Sequence, residues 1–343
     1  MFNKKTITAI LSIAMAAASF TGCSSEKKIS SNNYDAAEAK NASSDTTEAY
    51  SVVCTIFPEY DWVKEIVGDN SENVELSYLL DSGVDLHSYQ PTTNDIMKIS
   101  ACDLFIYVGG ESDKWVENAI ESVQNKEMKI INLMDVLGDS AKVEELKEGM
   151  QGEEEEEEEA DEEEPEYDEH VWLSLKNAKV LCAEIEKNLE AIDPANASSY
   201  KANLDSYISK LSDLDNSFQE LVNNASVKTL VFGDRFPFRY FVDDYGLDYY
   251  AAFIGCSAES EASFETIKFL SDKVKELDCD TVFTLENSNK DIADSIITNS
   301  GKNDVKIAEL NSLQSVSKSD ISNGVSYISL MQKNYDVLAD VMK

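Results

Sequence analysis

Residues 197–224, ASSYKANLDSYISKLSDLDNSFQELVNN, set Tyr200, Leu204, Tyr207, Ile208, Leu211, Leu214, Phe218 and Leu221 at three- and four-residue spacing. That is the period of one helix face. A helix over the whole stretch is about 40 Å long, enough to run the length of a two-lobed molecule. On its N-terminal side Asp193-Pro194 separates it from a second helical pattern, Leu175 to Ala191. Further back come short apolar runs, Val52–Phe57, Val74–Leu80, Leu104–Val108 and Met128–Asn132, alternating with helix-like Glu59–Val67, Asn94–Ser100 and Asp113–Gln124. On the C-terminal side the alternation resumes. Thr229–Phe232, Tyr249–Ile254, Thr281–Thr284 and Val305–Glu309 read as strands. Phe238–Tyr245, Ser263–Leu277, Ser288–Ser300 and a last segment from about Ser326 read as helices. Alternation of this kind specifies parallel sheets. The expected class is therefore α/β: two Rossmann-like lobes, 51–195 and 225–343, joined by a long rigid backbone helix, 196–224.

The N-terminus adds a leader. Lys4 and Lys5, the apolar stretch Ile7–Phe20 and the small-residue end Thr21-Gly22-Cys23 have the layout of an export signal over residues 1–22. The apolar part falls short of the ~20 residues of a membrane span. Residues 23–50 are polar and small, the composition of a flexible tether. The net charge is −37, which excludes nucleic acid as a partner. Fourteen of the acids lie between 153 and 169 without a single base, so the segment 150–168 reads as a solvated acidic loop. Beyond Cys23 there are five widely spaced cysteines, an odd number expected to stay mostly as free thiols.

Chemistry must then rest on few residues. The chain has two histidines. His87 lies in a loop between a strand and a helix, where α/β sheets place ligand groups, and His170 follows the acidic run and opens a helix. A loop histidine can also be a solvated side chain without a role.

The segment Gly83 to Asp95 resembles the G-x-x-P-H-x-Y-x-P-T-x-x-D motif of the zinc and manganese receptors of ABC importers, the TroA/ZnuA-like family. Glu169-His170-Val171-Trp172-Leu173-Ser174 resembles that family's D-P-H-V-W-L-S-P, and the similarity runs from about Val52 to Lys343. It implies that His87 and His170 are the first two ligands of a divalent transition metal held in the cleft between the lobes. Zinc is the first expectation, with manganese or iron second. The resemblance also implies a lipid on Cys23, an extracytoplasmic location on the cell membrane, delivery to an ABC permease and its ATPase, and a monomer without enzymatic activity.

The remaining ligands depart from the family. Arg235 stands where the family has His or Glu, and a guanidinium cannot ligate a metal, so Asp234 is the nearest replacement unless both merely pair with other charges. Asn311 stands at the family's Asp, Glu286 offers another carboxylate at a strand end, and Cys256 ranks below these oxygens. Two other readings remain. One is a surface adhesion lipoprotein of the same fold with weakened metal binding. The other is a zinc hydrolase, although no HExxH or nucleophile elbow is present.

Overall fold

The computed structural model describes residues 49–121, 123–152, 166–257 and 261–343. The export signal, Cys23 and the tether up to residue 48 lie outside these, as do residues 153–165 of the acidic run. In the first lobe Val52, Val53 and Cys54 are fully buried, which suits a strand covered on both faces. The order is β1 (Tyr50–Cys54), α1 (Phe57–Val67), β2 (Val74–Tyr78), α2 (Thr93–Ala101), β3 (Leu104–Tyr107), α3 (Trp115–Glu121), β4 (Lys129–Asn132) and α4 (Leu133–Leu137). The strands are parallel in the order β2-β1-β3-β4. Then follow α5 (Leu175–Ile192) and α6 (Ala197–Asn224).

The second lobe repeats the plan with β5 (Thr229–Phe236), α7 (Arg239–Tyr245), β6 (Asp248–Ile254), α8 (Phe264–Glu276), β7 (Thr281–Leu285), α9 (Asp291–Ser300) and β8 (Lys306–Leu310). It ends in α10 (Lys318–Ser322) and α11 (Tyr327–Val341). Its strands are parallel in the order β6-β5-β7-β8. Each sheet thus reverses direction of growth beside its first strand, at β1/β3 and at β5/β7, and such switch points open a crevice at the strands' carboxyl ends. β5 runs four residues beyond its expected end, with a break in pairing between Phe232 and Arg235. It thereby carries Asp234 and Arg235 to the crevice rim.

The stripe of α6 that is buried, Tyr200, Leu204, Tyr207, Leu211, Leu214, Phe218 and Val222, packs on α1 and α5 of the first lobe and on α7 and α11 of the second. At about 1.5–3 kcal/mol for each large side chain buried, this stripe is a main source of cohesion between the lobes. Hydrogen bonds staple them further. Trp172 Nε1 donates to the Ser312 carbonyl at 2.9 Å, the Tyr327 hydroxyl to the Trp172 carbonyl at 2.6 Å, and the Tyr327 N–H to Asp61 at 2.8 Å. Residues 47–343 accordingly form one compact unit.

The stem of the acidic loop closes on itself and on the second lobe. Glu144 N–H donates to the Glu166 carbonyl, and Asp168 N–H to the Lys142 carbonyl, both at 2.9 Å. Gln151 N–H donates to the Ala252 carbonyl on the outer edge of β6, also at 2.9 Å.

Candidate metal centre

His87 sits on a single 3-10 turn, Leu86–Ser88, whose start is capped by Asp85: its Oδ1 accepts the His87 N–H at 3.0 Å. His170 precedes another such turn, Val171–Leu173, which leads into α5. Local capping chemistry fixes both loops, and the two rings meet. The ring centroids are 5.1 Å apart and the Nε2 atoms 3.2 Å apart. Two nitrogens that each lie 2.0–2.1 Å from one tetrahedral ion stand about 3.3 Å from each other.

The far side of each ring is held. Asp168 Oδ1 accepts from both the His170 N–H and its Nδ1, at 2.8 and 3.1 Å, and His87 Nδ1 lies 2.8 Å from the Ser112 hydroxyl. In the tautomers in which both Nδ1 atoms donate outward, to Asp168 and to the Ser112 hydroxyl, the two Nε2 lone pairs face one another. That arrangement is repulsive unless a proton or a cation stands between them. A proton is disfavoured on His87: burial first, then the neighbouring His170, pulls its pKa down to about 3. The neutral imidazole is the ligating form.

Acids surround the pair. Glu169 is 1% exposed; its Oε1 accepts the Ser112 N–H at 2.8 Å, while Oε2 has no hydrogen-bond partner and lies 3.6 Å behind His87 Nδ1. Burial pushes the Glu169 carboxyl up, and burial together with Asp168 pushes Glu144 up to about 7. A cation bound beside these carboxyls would favour their ionised form, so acids that burial holds back from ionising are coupled to its binding.

The other expected ligands are placed differently. Asp234 accepts the Arg235 N–H at 2.9 Å through Oδ1 and the Leu285 N–H at 3.1 Å through Oδ2. Both Glu286 oxygens accept from Ser312, at 2.7 Å from its N–H and from its hydroxyl. The Asn311 side-chain oxygen accepts the Leu313 N–H at 2.9 Å. These oxygens cap backbone turns at strand ends, and neither carboxylate groups with the histidines. Arg235 reaches across the cleft instead, donating to Asp85 Oδ2 at 2.6 Å and to the Ser257 carbonyl at 3.3 Å. Against the pull of burial, that cation holds the Asp85 carboxyl below its ordinary pKa. Among the described residues the group that converges is His87, His170 and Cys256, whose ligand atoms all lie within 4.8 Å of one another. The sequence ranked Cys256 last, and it gave Asp168 and Glu169 no role.

Residues 52–341 match the model of the ZnuA family, zinc-uptake complex component A, periplasmic. The chain is 32% identical over 294 residues to the high-affinity zinc uptake system protein ZnuA of Bacillus subtilis (strain 168), covering 84% of this chain and 86% of that protein. It is 30% identical over 291 residues to the zinc-binding lipoprotein AdcA of Streptococcus pneumoniae (strain ATCC BAA-255 / R6), of which it spans about half, 54%. The solved Zn(II)-bound ZnuA-like domain of that streptococcal AdcA superposes with a TM-score of 0.66 at 28% identity, covering 86% of this chain and 99% of the domain. A laminin-binding adhesin of Streptococcus agalactiae, in a mutant structure, shares the fold at a TM-score of 0.70 and 23% identity. With its two α/β lobes and a family match over nearly the whole described unit, the chain belongs to the ZnuA family of periplasmic zinc-uptake components.

Proposed function

We propose that this chain is the extracytoplasmic receptor of a zinc importer, anchored through Cys23, and that it captures Zn2+ between His87 and His170 for transfer to a permease powered by its ATPase. The observation that carries the reading is the pair of facing Nε2 atoms at 3.2 Å, in a pocket walled by buried acids. Relatives named for zinc uptake and zinc binding support the choice of metal. A scaffold stapled along α6 keeps the donors in place, so discrimination rests on the donor set. Delivery then consists of the permease competing for the metal.

The test is calorimetric titration of metal-free protein with Zn2+, in the parent and in His87→Ala and His170→Ala. Each variant should lose tight binding. Variants that titrate like the parent would overturn the assignment.

A further inference from the structure

We propose that Cys256 is the third ligand, its sulfur completing a two-histidine, one-thiolate site that selects zinc-like cations against manganese; this rests on the receptor reading above. Three observations converge on it. The sulfur is the remaining donor in the group that converges with both imidazoles. The loop after β6 is built against His170: Gly255 lies so close that a Cβ there would stand 3.1 Å from both Cε1 and Nδ1 of the ring. The loop is also anchored from the first lobe, since Cys256 N–H donates to Glu144 Oε1 at 3.2 Å.

Arg235 explains why sulfur is needed. The residue at the position expected to supply a donor from the second lobe is tied to Asp85 and Ser257, and Asp234, whose oxygens each accept a backbone amide, does not group with the histidines. Cys256 supplies the second lobe's donor instead. In a tetrahedral zinc site, sulfur at about 2.3 Å and nitrogen at about 2.0 Å from the ion are some 3.6 Å apart, so from within 4.8 Å the side chain needs to move by no more than about an ångström. On binding, the thiol proton leaves to solvent as the sulfur–metal bond forms. Thiolate suits Zn2+, whereas Mn2+ prefers oxygen.

The experiment compares the parent, Cys256→Ser and His87→Ala, titrated with Zn2+ and with Mn2+, and records the absorption of Co2+-loaded parent. The parent should show an intense thiolate-to-cobalt charge-transfer band, and zinc should protect Cys256 from iodoacetamide. Cys256→Ser should lose zinc affinity by more than the roughly 100-fold cost of removing a partner that only orients a ligand, with much less change for Mn2+. A parent without the cobalt band, or a Cys256→Ser variant with parental zinc affinity, overturns the role of Cys256. If that happens while His87→Ala still loses binding, the histidine site stands. If His87→Ala binds like the parent, the receptor reading falls with it. The cobalt and alkylation readings use the parent alone, so poor folding of a variant does not blunt the test.

Discussion

Replacing Gly255 by Ala tests whether the Cys256 loop is seated on the His170 ring. The Gly255 backbone is outside the left-handed region, so alanine can adopt it and the effect is steric alone. The new Cβ would lie 2.9 Å from the Phe236 carbonyl oxygen and 3.1 Å from two atoms of His170. Favourable contacts begin near 3.5 Å, so about half an ångström must be found. Neither neighbour yields readily: Phe236 is the last residue of β5, and His170 is fully buried, bonded to Asp168 and packed on Trp172 at 5.2 Å. Overpacking of this kind costs about 1–3 kcal/mol. Relief comes by lifting the loop, which withdraws Cys256, or by tilting the ring, which spoils the facing nitrogens. Either route should weaken zinc binding at least about tenfold, the lower figure for disturbing a ligand's support. Competition against a chromophoric chelator measures the affinity, and urea unfolding of metal-free protein measures the stability. Gly152→Ala is the control, because its Cβ would meet Leu146 at an ordinary 3.5 Å. If Gly255→Ala matches the parent in both assays while folding normally, the close seating of loop on ring is refuted.

Two further outcomes are expected. Asp168→Ala removes the acceptor that sets the His170 tautomer and should lower zinc affinity about 10–100-fold; a calorimetric Kd within twofold of the parent's would show that the bond has no orienting role. Glu59 is buried behind the crevice, with Thr55 and Ile56 N–H groups on one oxygen and none on the other, and burial, then Asp113, raises its pKa from 4.5 to about 8. The folded chain therefore keeps a proton that the unfolded chain has released. Stability is full below about pH 4.5 and declines as pH rises to about 8, by up to about 1.4 kcal/mol per unit. Glu59→Gln should flatten that decline in urea titrations across pH, and an unchanged slope would count against the buried proton.

The architecture was legible because parallel βα units write a strong alternation and α6 a long single face. The short α4 was not, since five residues after a strand carry no helical period of their own. The histidines were legible through their flanking motifs. Their partners were hidden for a different reason: which strand-end group faces the cleft depends on which backbone amides each oxygen must cap. Asp234, Glu286 and Asn311 looked like donors in sequence, and their oxygens accept from backbone amides at strand ends. Cys256 and Asp168 looked incidental, yet the register of β6 and the closure of the acidic stem carry them to the histidines. Arginine at 235 was readable as a non-ligand, but its grip on Asp85 across the cleft belongs to the tertiary structure.

The stem hydrogen bond from Gln151 to Ala252 reaches past the metal centre in its effect. An outer strand with unpaired carbonyls invites a strand from another molecule, and repeated pairing of that kind builds aggregates. Here the rim of the second sheet is already occupied at its middle by a segment of the same chain, which continues into a run of glutamates. A second copy approaching β6 there would have to displace that segment. The stem of the acidic insertion thus covers part of the second sheet's outer border.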